Sequence, residues 1–248
     1  MRVLALSLLA VVLAVPAGPE GQPSVEELLN KADDLWRGSS SRGRISMHIK
    51  TARWERSLTM RVWFQGTEKT LIQVLAPAKE KGTATLKVNN EIWHYLPKVD
   101  RTIKVPASMM SGSWMGSHLT NDDLVKESRF TDDFECEVSS RPEGRRSGHH
   151  VVECVPHPDA PVVWGKVVLG FRASDELIER ITYHDEDGEL VRTLEYADIG
   201  NLGGRRLPKR VRVIPADEPD ELTEVVYEEL VFDVELPRRI FSLQALRR

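Results

Sequence analysis

Apolar residues recur along this chain with two different periods. Val25, Leu28, Leu29, Ala32, Leu35 and Trp36 fall at helical spacing. Ser24 and Glu27 before them form a capping box, the serine accepting from the backbone while the glutamate reaches back. The spacing predicts one amphipathic helix to about Trp36, stopped at Gly38. From Arg44 the period becomes two. Ile45, Met47 and Ile49 alternate with polar residues, as do Leu58, Met60, Val62 and Phe64, and then Ala84, Leu86 and Val88. Glu91 to Leu96 and Arg101 to Val105 follow, separated by Pro97 to Asp100. This alternation predicts an antiparallel meander with one buried face per strand.

Pro106 to Ser117 interrupts the pattern with Met109, Met110, Trp114 and Met115 on a Gly/Ser-rich backbone. Thr120 reads as the N-cap of a short helix, with Asp122 and Asp123 in its first turn, where the helix dipole favours anions. Strands are expected to resume at Arg129 and to continue over 162–171, 177–184, 190–197, 207–214 and 222–232. Asp187-Gly188 and Gly203-Gly204 are turns between them. No internal repeat or domain-sized linker is present. The expected fold is mainly β (α+β): a large curved antiparallel sheet forming an unclosed half-barrel, covered by the N-terminal helix and the Met/Trp-rich loop with its short helix. A wide sheet curls, and its apolar concave face needs such a cover.

The first residues stand apart. Arg2 precedes an apolar run from Val3 to Val15, and Val15-Pro16-Ala17 offers small residues for cleavage. This is the layout of a signal peptide over 1–17, too short for a membrane span, leaving 18–248 as one exported domain. Two cysteines, Cys136 and Cys154, flank a turn-like stretch from Ser139 to Gly148, so a disulfide across a hairpin is expected. A zinc site using Cys154, His157 and His149-His150 is the alternative, with poorer ligand spacing. With 34 basic and 38 acidic residues and no block of one sign, nothing indicates a nucleic-acid footprint. The run Arg205-Arg206, Lys209, Arg210 and Arg212 reads either as a solvated sheet face or as a contact for anionic headgroups.

Catalysis finds little support. Ser111, Ser113 and Ser117 lie near His118 and Asp122-Asp123, yet the glycines that would frame a nucleophile elbow are missing. Triad members also converge from distant segments rather than from neighbours.

The stretch Asn90-Glu-Ile-Trp-His-Tyr-Leu-Pro97 with Arg101, followed by Trp114-Met-Gly-Ser-His-Leu-Thr-Asn-Asp-Asp-Leu124, resembles the LolA-like family of outer-membrane lipoprotein-sorting proteins, in its transporter-associated branch. Val163 to Val168, Tyr183 to Gly188 and Ile240 to Leu246 resemble the same branch. The resemblance implies a periplasmic, non-enzymatic carrier without cofactor or metal. It would shelter acyl chains of lipoproteins or phospholipid-like lipids and pass them toward an outer-membrane acceptor. An inner-membrane transporter of RND or ABC type would be a partner, and the carrier itself a monomer. The other reading is a cargo-free accessory module of such a transporter or of an envelope sensor. Candidate cavity residues are Leu58, Met60, Val62 and Phe64; candidate lid residues are Met109, Met110, Trp114 and Met115. Carriers of this family hold the lid with a basic residue before a proline at an early strand end. Gln65-Gly66 stands nearest here, so that lock is absent or rebuilt.

Overall fold

The computed structural model describes residues 23–34, 38–125, 130–139, 148–160 and 162–247. The expected signal peptide, Trp36 and Arg129 lie outside them. Helix α1 (Val25–Asp34) precedes β1 (Ser40–Lys50), β2 (Glu55–Gln65), β3 (Lys69–Ala76), β4 (Ala84–Val88), β5 (Glu91–Leu96) and β6 (Arg101–Lys104). Short helices α2 (Asn121–Val125) and α3 (Phe130–Asp133) follow. The second half is β7 (Phe134–Val138), β8 (His149–Pro156), β9 (Lys166–Arg172), β10 (Ile178–His184), β11 (Leu190–Leu202), β12 (Arg205–Pro215) and β13 (Leu222–Phe232). The capping box starts α1: the Ser24 amide donates to Glu27 Oε2 at 2.8 Å and the Glu27 amide to Ser24 Oγ at 3.2 Å.

All 13 strands belong to one antiparallel sheet, ordered β6-β5-β4-β3-β2-β1-β13-β12-β11-β10-β9-β8-β7. Two meanders therefore join where the first strand meets the last, and β6 and β7 remain as separate edges of an unclosed half-barrel. At the seam, Gly43 lies opposite Leu230 beside a register shift. A Cβ there would come within 2.1 Å of the Glu229 carbonyl oxygen, so only glycine permits the approach.

Alternation sorts the side chains as expected. Ile45, Met47, Ile49, Leu58, Met60, Val62, Ile72, Val74 and Trp114 form one buried cluster on the inner face. A second inner cluster gathers Leu28 and Leu29 of α1, Phe130 and Phe134 with β8, β9 and β10 residues such as Val152, Leu169 and Ile181. The outer face of the first meander is covered too. Leu246 of the C-terminal segment is 1% exposed against Leu71, Ala84, Leu86 and Tyr95.

Cys136 and Cys154 face each other across β7 and β8, with Cα atoms 4.1 Å apart, and are joined by a disulfide. This removes Cys154 from the alternative zinc site, and His149 instead meets Glu179 Oε2 at 2.6 Å. Closing a loop of that length constrains the unfolded chain by about 3 kcal/mol, support that an edge strand held by one neighbour can use. Several strand bounds differ from those expected. Phe130–Asp133 is helical and the second meander begins at Phe134 rather than near Arg129; β9 starts at Lys166; β11 runs on to Leu202.

Candidate functional site

Between the two inner clusters lies a cavity of about 290 Å³. Its walls come from seven adjacent strands, β3 through β1 and from β13 to β10, so the curl of the sheet creates it. Phe64, Ile72, Val213 and Val225 are part of the apolar lining, which also includes Tyr183, Tyr196 and Tyr227. Ala32 of α1, Trp114, Leu119, Leu124 and Phe130 roof it. If sealed and empty, a void of this size would forgo about 7 kcal/mol at the usual cost per volume. That is comparable to the whole stability of a domain.

The roof is fastened to the sheet at separated points. Asp123 of α2 forms a two-pronged ion pair with Arg192 of β11, at 2.7 and 2.6 Å. The Arg192 guanidinium stacks on Trp164 and Tyr183, 4.7 and 4.5 Å from the ring centroids. Asp123 also completes a capping box with Thr120, the Thr120 amide donating to Oδ2 at 2.7 Å. At the other side, the His118 amide donates to Thr223 Oγ1 at 3.0 Å, and its ring Nε2 lies 3.1 Å from Glu221 Oε2. Arg56 of β2 donates to the Met115 carbonyl. Met115 itself has φ +53°, a strained conformation for a long side chain, and the next residue, Gly116, has φ +74°.

A directional hydrogen-bond relay runs through the middle. Asn121 Nδ2 donates to the carbonyls of Met109 and Gly112, leaving Oδ1 as an acceptor for His94 Nε2 at 3.0 Å. That assignment puts the His94 proton on Nε2, so Nδ1 accepts from Thr85 Oγ1 at 3.0 Å. Thr85 Oγ1 in turn accepts the Trp114 indole N–H at 3.1 Å. This direction of the relay holds for neutral His94; a protonated ring would reverse the Thr85 bond, Nδ1 donating to Oγ1.

The electrostatics agree with these roles. Burial alone would raise the Asp123 carboxyl, but Arg192 and the Thr120 capping bonds together hold it below the ordinary carboxylate value. Burial pulls His94 below its ordinary value of 6.5, against a smaller opposing effect of Asn121. A histidine depressed by folding contributes stability that is complete above 6.5 and is lost as pH falls through the folded value. Replacing His94 by Gln should remove that component. Urea unfolding above and below 6.5 should show a smaller difference for the variant than for the wild type; equal differences would mean that His94 does not titrate on unfolding.

The structure places the sequence-predicted residues unevenly. Phe64 and Trp114 line the cavity. Leu58, Met60 and Val62 point to the same face but are at most 1% exposed and closely packed beneath the roof, so they are core rather than cavity wall. Met109 is 60% exposed and Met110 is half-buried; neither lines the cavity. Met115 packs on the cluster around Trp114, its carbonyl serving as an anchor. The apolar underside of the roof is therefore Trp114, Leu119 and Leu124. Gln65 and Gly66 take no part in these side-chain fastenings; Arg192, distant in sequence, supplies one of them through Asp123. The basic run of β12 is neutralised: Arg205 pairs with Asp233, Arg206 with Asp175, Lys209 and Arg210 with Asp198, and Arg212 with Glu224.

Ser113 and Ser117 donate to backbone carbonyls, while the His118 ring is held by Thr223 and Glu221, so these groups do not assemble as a nucleophile and its base. His118, Glu218 and Glu221 bring their ligand atoms within 4.8 Å of one another and are, among the described residues, the set that could hold a cation.

Comparison with known proteins agrees with this architecture. A family model described as "-like: Uncharacterized protein" matches residues 66–248. A LolA superfamily protein from Nitrosomonas europaea superposes with a TM-score of 0.73 at 22% identity, covering 90% of this chain and 100% of that one. A DUF1329 family protein from Desulfovibrio piger gives a TM-score of 0.77 at 21% identity, covering 89% and 97%. A domain assigned as an outer membrane lipoprotein-sorting protein from Vibrio parahaemolyticus gives 0.73 at 20%, covering 90% and 98%. No curated protein matches the chain in sequence.

Proposed function

The chain belongs to the family whose model spans residues 66–248, and on its LolA-type fold we propose that it carries acyl chains of lipoproteins or other lipids in the cavity under the roof. The observation that supports this reading is the cavity itself: mostly apolar, lined by seven adjacent strands, and covered by a segment held through polar contacts that can open and re-form. Such a carrier must offer an acyl chain about what a bilayer offers, ~0.8 kcal/mol per buried methylene. Among the lining residues, Phe64, Ile72 and Val225 give the chain apolar contact, while the three tyrosines offer rings with a polar tip. Breaking the Asp123–Arg192 pair and the His94 relay would free the roof; their re-formation would exclude water around the cargo. On this reading the protein works in the periplasm as a monomer, after cleavage near Ala17. It receives cargo from an inner-membrane transporter and delivers it to an outer-membrane acceptor.

Val225 supplies the test, because it faces the cavity from β13. A phenylalanine there should occupy the void without straining a packed core, leaving stability within about 1.5 kcal/mol of wild type. Binding of a fluorescent fatty-acyl probe should weaken at least tenfold. Unchanged probe binding by a folded Val225→Phe variant would place the ligand elsewhere.

A further inference from the structure

The outer face of the sheet carries a second concavity, of about 520 Å³, between β2–β3 and the C-terminal segment. Strand alternation separates it from the first: Arg61 and Trp63 project outward, while Met60 and Val62 project into the inner core. The C-terminal segment forms the opposite wall, pinned by Leu246 in the outer core and by Gln73 Nε2 donating to the Ala245 carbonyl at 3.2 Å.

Its charge is one-sided. Arg61 and Arg239 both line the groove, and among the described residues no carboxylate does. Among the described residues neither guanidinium has an ion-pair partner, in contrast to the neutralised arginines of β12. The Arg61 guanidinium lies over the Trp63 ring, 5.7 Å from the centroid. Strand pairing adds to the charge: Arg42 is the neighbour of Trp63 on β1, and it too has no carboxylate partner among the described residues. Trp63, Leu71 and Ile240 give the groove an apolar floor.

We propose that this groove binds the phosphate-bearing headgroup of an anionic lipid at a membrane surface. Arg61 and Arg239 would engage the phosphate, and Trp63 and Ile240 would contact the glycerol and first methylenes. Arginine suits the role because its planar fork matches phosphate oxygens and it keeps its charge when stacked on an aromatic ring. A compact concavity with fully paired strands beneath it suits a discrete headgroup better than an extended acidic peptide, which would seek a free strand edge. The inner cavity plays no part in this contact, so the proposal stands or falls separately from the carrier reading.

The test uses the mature, disulfide-bonded protein and vesicles in a flotation assay. Binding to phosphatidylglycerol-containing vesicles should exceed binding to pure phosphatidylcholine vesicles by at least tenfold and should weaken as salt is added. R61Q/R239Q should lose most of that preference while retaining wild-type fatty-acyl probe binding, and Val225→Phe should do the reverse. Equal binding to both vesicle types would overturn the proposal. So would full retention of the preference by R61Q/R239Q, or competition by a polyglutamate peptide but not by inorganic phosphate.

Discussion

Replacing Asp123 by Ala is expected to destabilise the protein by about 3–5 kcal/mol, the usual result of removing one member of a buried ion pair. Arg192 has 9% side-chain exposure and cannot recover its hydration without leaving the Trp164 and Tyr183 rings. The variant also loses the Thr120 capping box, which is why Asp123→Ala should cost more than Arg192→Met. The double variant should be less destabilised than the sum of the two single variants, because no unpaired charge remains. Urea unfolding of the three proteins gives the cycle. A single-variant cost below about 1 kcal/mol would mark the pair as an ordinary solvated one. The pair's pH dependence has a definite sign. Asp123 is depressed below 3.8 by folding, so its contribution is complete above 3.8 and is lost as pH falls through the folded value.

Trp114→Ala should cost about 3–5 kcal/mol in the absence of lipid, in the range for buried aromatic truncation. The indole is 3% exposed, packs with Met60 and Val62, and donates its N–H to Thr85. It also forms part of the cavity roof, so its loss should enlarge the space available to an acyl chain. Addition of a long-chain fatty acid should therefore recover more thermal stability in Trp114→Ala than in the wild type. Equal recovery in both would mean that the indole does not bound the ligand space.

Much of this architecture is legible in the sequence where one face of a strand is buried and the other wet. Ile45 to Ile49 and Leu58 to Phe64 alternate cleanly, and β4, β5 and β13 have the bounds that alternation predicts. Lys69–Ala76 escapes the same test because it is buried on both faces: Ile72 and Val74 inward, Leu71 outward under the C-terminal segment. Its period of two is erased by that second cover. The helical turn at Phe130–Asp133 is short and carries no repeat long enough to read.

The site is legible only in part, for a related reason. Periodicity assigns a side chain to a face but not to a depth along it, so Met60 and Phe64 look equivalent although one is packed and the other borders the cavity. The methionines and tryptophan of the segment over 106–117 are plain in the sequence, whereas the partners of the roof's polar fastenings, such as Arg56 and Thr223, are not. Asp123 was visible as a helix-capping residue, whereas its partner Arg192 lies 69 positions away within an ordinary strand. His94 and Asn121, 27 positions apart, likewise meet only through the fold. The one sequence signal available for either pair was a polar residue at a position where strand alternation or helix geometry points inward.

The most direct measurement of the central claim is native mass spectrometry of the protein purified from cell envelopes without detergent exchange. The carrier reading expects a population heavier than the polypeptide by the mass of an acyl-bearing lipid, released on activation, and absent from Val225→Phe prepared in parallel. A single lipid-free species for the wild type, or the same adduct on both proteins, would contradict it.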